Sequence, residues 1–171
     1  ALKRIEDVAM LRNTQFREDA GPTAHPVKPD AYQAIDNFYT TTIYEKGAEL
    51  IRMLRTLLGE ERFMAGMRLY FQRHDGEAAT TEDFVAAILE GACAKGEPLS
   101  FDPSQFQRWY HQAGTPMVTV QSQWDGAEGR LTLELQQVTP PTPGQAQKQP
   151  LVIPLLWALI GSDGRLGEER L

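Results

Sequence analysis

The side chains in this sequence with chemistry to offer at a carbonyl, a metal or a thiol are Tyr44, the histidines His25, His74 and His111, and the cysteine Cys93. Tyr44 opens the clearest amphipathic stretch. Gly47, Leu50, Ile51, Leu54, Leu57 and Leu58 recur at helical spacing, with Glu49, Arg52 and Arg55 on the other side, so a helix is predicted from about Tyr44 to Leu58. Tyr44 lies seven residues before Ile51 and is expected on the same inward face, near the free N–H groups and positive dipole end of the helix start. A phenol held there can donate a hydrogen bond to an oxygen that turns negative in a transition state, a contribution of about 3 kcal/mol. The alternative is a packing tyrosine whose hydroxyl reaches water or a carbonyl.

The other candidates point away from chemistry. No histidine stands three or four residues from another, so no helical turn can present two imidazoles to one metal, and each reads as structural. Cys93 has no second cysteine for an internal disulfide and no histidine or orienting group near it in sequence. It falls at the end of a helix, as a small core or surface residue. Gly59, Gly66 and Gly76 are isolated, so there is no phosphate-cradling loop.

Composition sets the class. At 171 residues and 42% hydrophobic, the chain can bury one good core or two small ones. A net charge of -6 and a pI near 5.1, with Lys and Arg scattered, argue against a nucleic-acid partner. The longest apolar run, Leu151 to Ile160, contains Pro154 and is half of the ~20 residues a membrane helix needs. No membrane span, signal peptide or lipid anchor is read, and cysteine usage fits a cytoplasmic protein. The opening at Ala1 without methionine and the stop at Leu171 read as cuts in a longer chain.

Elements must position Tyr44. Prolines and Gly21 make a connecting loop from Asp19 to Asp30. Phe63, Met67, Tyr70 and Phe71 mark a helix from Glu60 to His74, ended by Asp75-Gly76 and expected to pack as a hairpin on the Tyr44 helix across Gly59. Thr80 and Asp83 form a capping box ahead of a third helix. Asp102-Pro103 starts another, whose Phe106, Trp109 and Tyr110 face a core or domain seam until Gly114 stops it. Beyond Gly114 the period becomes two. Val118 and Val120, then Leu131, Leu133 and Leu135, alternate with polar residues as half-buried strands joined across Trp124 to Gly129. Leu151 to Ile160 is expected to add a further strand, with Pro154 at an edge or bulge. The fold class is therefore α+β, with a small antiparallel β-sandwich at the end.

The segment Asn37 to Met53, with Tyr44-Glu45-Lys46-Gly47-Ala48 at its centre, resembles the part of the aminopeptidase N family of zinc metallopeptidases that follows the metal site. These are gluzincins, and the likeness is to the bacterial alanyl aminopeptidase type. It runs back through Gln15-Phe16-Arg17-Glu18-Asp19-Ala20 and His25-Pro26, and forward through Arg73-His74-Asp75-Gly76, Trp109-Tyr110, Gly114-Thr115-Pro116 and Gln149-Pro150. The resemblance implies that residues 1–113 are the helical C-terminal part of a thermolysin-like catalytic domain and residues 114–171 a β-sandwich domain; a sandwich truncated at Leu171 would leave an open edge, an association hazard. It gives Tyr44 the role of stabilising the oxyanion at the scissile peptide bond. It implies zinc, peptide substrates and further domains of the same parent chain. The HExxH motif that carries the family's zinc ligands and general base is absent here, so this chain alone is expected to bind no metal and to be inactive. A non-catalytic peptide- or protein-binding module is the alternative, and a catalytically dead homologue a third.

Overall fold

The structure is a computed structural model that describes residues 2–164 and 167. The helices are α1 (Leu2–Met10), α2 (Phe16–Asp19), α3 (Gly47–Leu58), α4 (Glu60–His74), α5 (Thr81–Ala92) and α6 (Pro103–His111), followed by strands β1 (Met117–Asp125) and β2 (Arg130–Val138). A π-helical turn, Leu11–Gln15, joins α1 to α2, and another, Thr42–Lys46, leads into α3. The chain is α+β, with helices first and an antiparallel pair after. It forms two compact units, Ala1–Glu49 with Pro103–Leu151, and Leu50–Asp102 with Val152–Leu171.

In the second unit the tight helix pair is α4 with α5, and the expected hairpin of α3 on α4 does not form. Gly59 enters α4 at φ +76°, ψ 161°, an extended left-handed link that turns the chain away instead of folding it back. α5 approaches α4 through two glycines. A Cβ on Gly66 would lie 2.5 Å from the Ile88 backbone, and one on Gly91 would lie 2.5 Å from Gly66 Cα. Phe63, Val85, Ala87 and Ile88 are buried around this contact. The Thr80 box forms as read, with the Asp83 N–H donating to Thr80 Oγ1 at 3.1 Å and the Thr80 N–H to Asp83 Oδ2 at 2.9 Å.

The first unit buries Leu11, Val27, Phe106, Trp109, Tyr110, Ala113 and Leu151. The Lys28 N–H donates to the Tyr110 carbonyl at 2.8 Å, pinning the proline-rich loop to α6. Gly114 stops the chain after α6 at φ +93°, a conformation that suits glycine. β1 and β2 pair in register from Met117↔Val138 to Asp125↔Arg130. Asp125 Oδ1 accepts from the N–H groups of Ala127 and Glu128, fixing the turn between them. One hairpin face carries Val118, Val120, Trp124, Leu131, Leu133 and Leu135, and the other is polar apart from the Met117–Val138 pair at its end.

Two strand expectations need correction. The hairpin is exposed on both faces instead of half-buried, because no described element covers the apolar one. Residues 151–160 form no ladder strand and make only single bridges at Trp157 and Ile160. Pro154 lacks the N–H a ladder needs, and Leu151 spends its N–H and C=O on the side-chain amide of Gln137, both at 2.9 Å.

Candidate functional site

The helix that carries Tyr44 is seated by polar contacts at its first turn. Thr42, Lys46, Leu50, Leu54 and Leu58 are all buried, each four residues from the next, so the inner stripe of the helix begins with a hydroxyl and an ammonium before its leucines. Tyr44 falls between Thr42 and Lys46 and lies off this stripe. Its side chain is 57% exposed, and its ring stacks on that of Tyr39 with centroids 6.2 Å apart. The expected inward face is thereby corrected. The reason is local: the wider π-helical turn at 42–46 breaks the simple seven-residue extrapolation from Ile51.

The first-turn N–H groups are not free as expected. Thr42 donates its N–H to Glu18 Oε1 at 2.9 Å, Ile43 to Thr40 Oγ1 at 3.2 Å, and Tyr44 to the Thr40 carbonyl at 3.1 Å. With these three amides occupied, the exposed phenol of Tyr44 is a side-chain donor at this turn that can reach an external atom.

Two adjacent carboxylates at the end of α2 hold this helix start. Burial pushes the Glu18 carboxyl up, but the Thr42 side chain and the N–H that Thr42 donates, with the Thr41 hydroxyl and His25 nearby, together bring it below the usual carboxylate range. His25 Nδ1 lies 2.8 Å from the Pro26 carbonyl and Nε2 lies 3.6 Å from Glu18 Oε1. Asp19, fully buried, accepts from Lys46 Nζ at 2.8 Å and Thr115 Oγ1 at 2.9 Å through Oδ2, and from the Gly114 N–H at 2.7 Å through Oδ1. Burial opposes its charge, yet Lys46, the Gly114 N–H and the Thr115 hydroxyl overcome it and lower the pKa. Lys46 also donates to the Gly114 carbonyl at 3.1 Å and sits 5.9 Å from the centroid of the Trp109 ring. Burial lowers the pKa of Lys46, against the pull of Asp19.

Lys46 and Asp19 were missed as a pair in the sequence. A first-turn lysine reads as a solvated charge that complements the helix dipole. The available signal was the four-residue series from Thr42 to Leu58, which puts Lys46 in line with the leucines. Glu49 reaches Arg4 of α1 in a two-pronged contact.

The histidines stand on separate elements: His25 in the loop after α2, His74 ending α4 against the Tyr70 ring, and His111 ending α6, where its carbonyl accepts from Gln145 Nε2 at 2.8 Å. Among the described residues no three His, Cys, Asp or Glu side chains gather as a metal site would require. The donor set does not fit zinc. No helix among the described residues is long and apolar enough to cross a membrane.

A helical body with a tyrosine at a polar-seated helix start, followed by an antiparallel hairpin, has counterparts. The profile of the peptidase family M1 domain matches residues 3–109, and one described as a domain of unknown function with an Ig-like fold matches residues 114–170. Aminopeptidase N of Escherichia coli (strain K12) is 50% identical over 166 residues, covering 97% of this chain and 18% of that protein. Aminopeptidase N of Caulobacter vibrioides is 58% identical over 132 residues, covering 77% of this chain and 14% of that one. A crystal structure of Legionella pneumophila aminopeptidase A in complex with aspartic acid superposes with a TM-score of 0.59 at 27% identity, over 71% of this chain and 14% of that chain. The chain belongs to peptidase family M1. It spans less than a fifth of the length of these relatives.

Proposed function

We propose that this chain works as part of a longer zinc aminopeptidase that removes the N-terminal residue from peptides, and that Tyr44 stabilises the oxyanion formed at the scissile carbonyl. The observation that carries this reading is the pairing of an exposed Tyr44 phenol with a helix start whose first-turn amides are already taken. The phenol O–H donates to the carbonyl oxygen as its carbon becomes tetrahedral. A donor fixed in advance gains most when the oxygen carries full negative charge, so its effect falls on turnover more than on substrate affinity. The residues described here do not form a zinc site, so the metal and the general base are assigned to other parts of the enzyme and no step is drawn through them.

Under the same reading, residues 1–113 belong to the catalytic domain and 114–171 to the Ig-like one, peptides are the substrates, the other domains of the parent chain are the partners, and the setting is cytoplasmic. The family profiles and the names of the relatives support the division into domains and the peptide substrates, and the cytoplasmic setting rests on cysteine usage alone. The test is Tyr44→Phe in the complete enzyme. Turnover should fall about 10²–10³-fold, with KM and thermal stability little changed. Wild-type turnover would overturn the assignment and favour a packing role or a non-catalytic peptide-binding module. The isolated 171-residue chain should hydrolyse no peptide.

A further inference from the structure

We propose that Asp19 is a positioning residue for Tyr44, and that through it the placement of the tyrosine depends on the Gly114-Thr115 segment that leads into β1. The inference rests on the oxyanion role proposed for Tyr44.

Tyr44 is mostly exposed and packs on Tyr39, itself exposed, so its own surroundings do little to fix the hydroxyl. Its position must be set by the backbone of residues 42–46, a single π-helical turn. That turn is gripped at both ends by neighbouring carboxylates. Glu18 holds the Thr42 amide and Asp19 holds the Lys46 ammonium, two residues to either side of Tyr44.

The two grips differ in reach. Glu18 acts within the helix start and its neighbouring loop, whereas Asp19 closes a ring with a distant stretch of chain. Gly114 is held at both its peptide groups: its N–H donates to Asp19 and its carbonyl accepts from Lys46. Thr115 adds its hydroxyl to the carboxylate oxygen that Lys46 also uses. A shift at residues 114–115 therefore changes the hydrogen bonds that Asp19 and Lys46 share, and so the seat of the turn bearing Tyr44. A catalytic donor displaced by about 1 Å can lose roughly 10²-fold in rate, so a small slackening at Thr115 is enough to be read in turnover.

Thr115→Val is the informative change, because it removes one donor at nearly constant shape and leaves the Asp19–Lys46 charges paired. The experiment places Thr115→Val and Asp19→Asn in the complete aminopeptidase, each alone and each combined with Tyr44→Phe. It measures kcat and KM on a chromogenic aminoacyl amide, with thermal unfolding alongside. Thr115→Val alone should lower kcat several-fold, with KM within about twofold, and Asp19→Asn, where it folds, should cost more. Neither should lower kcat further once Tyr44→Phe is present, because the group they position is gone. Equal losses with and without Tyr44→Phe, or wild-type kcat for Thr115→Val, would overturn the positioning role while leaving Tyr44 its own. Full turnover from Tyr44→Phe alone would instead remove the reading on which the inference rests.

Discussion

Two close contacts in this chain are built on opposite principles. At the start of the Tyr44 helix, Asp19, Lys46, Gly114 and Thr115 meet through charge and hydrogen bonds in a buried setting. At the α4–α5 contact, Gly66 and Gly91 bring backbones together by having no side chain at all. The first contact specifies which groups may meet and the second only how near they come. A buried charge pair adds little net stability over an apolar pair of the same shape, but it penalises any arrangement that leaves one charge alone. That property belongs where a side chain has to be aimed, and glycine packing belongs where two helices only have to touch.

Breaking the polar contact on one side should have the largest effect. Lys46→Met leaves the Asp19 carboxylate buried without its counter-ion and should cost about 3–5 kcal/mol, read as a lower denaturant midpoint. Adding Asp19→Asn to Lys46→Met should recover part of that loss, an outcome that apolar contacts alone would not give. Gly91→Ala should cost about 1–3 kcal/mol, since a Cβ 2.5 Å from Gly66 Cα forces the two helices apart. No second change is expected to rescue it, short of separating the helices.

Acid should distinguish the contacts without mutation. Asp19 and Glu18 have pKa values lowered in the folded state, so their contribution is fully present above the ordinary carboxylate range and is lost as the pH falls through that range toward their folded values. Asp19→Asn should flatten this acid-side loss in a pH series of denaturation curves, while Gly91→Ala should shift the whole series without changing its slope. The smallest effect belongs to the α5 cap: Thr80→Ala should cost about 1 kcal/mol in the same assay.

What could be read from the sequence follows the same division. The limits of α4, the Thr80 box of α5, the Asp102-Pro103 start of α6 and the two strands came from local signals, where period and capping chemistry act within a few residues. Three readings failed because their causes lie farther along the chain. Lys46 is buried because Asp19 and Gly114 come to it, at separations of 27 and 68 residues. The α4–α5 pair forms because two glycines far apart in sequence are complementary, a match that the Gly59 link between α3 and α4 does not reveal. Residues 151–160 have the composition of a strand, but Gln137 captures the backbone of Leu151. For the candidate site, the segment around Tyr44 was legible as a family likeness, whereas the carboxylates that seat it were visible only once the chain was folded.

The closed ring at Gly114 also orders events in time. Lys46 and Gly114 are 68 residues apart, so at about 5–20 residues per second a ribosome adds Gly114 roughly 3–14 s after Lys46. During that interval Lys46 has Asp19 but not the Gly114 carbonyl, and Asp19 lacks two of its donors. The turn that aims Tyr44 is thus among the last parts of this region to acquire its native seat, after the α4–α5 pair has all of its sequence in hand.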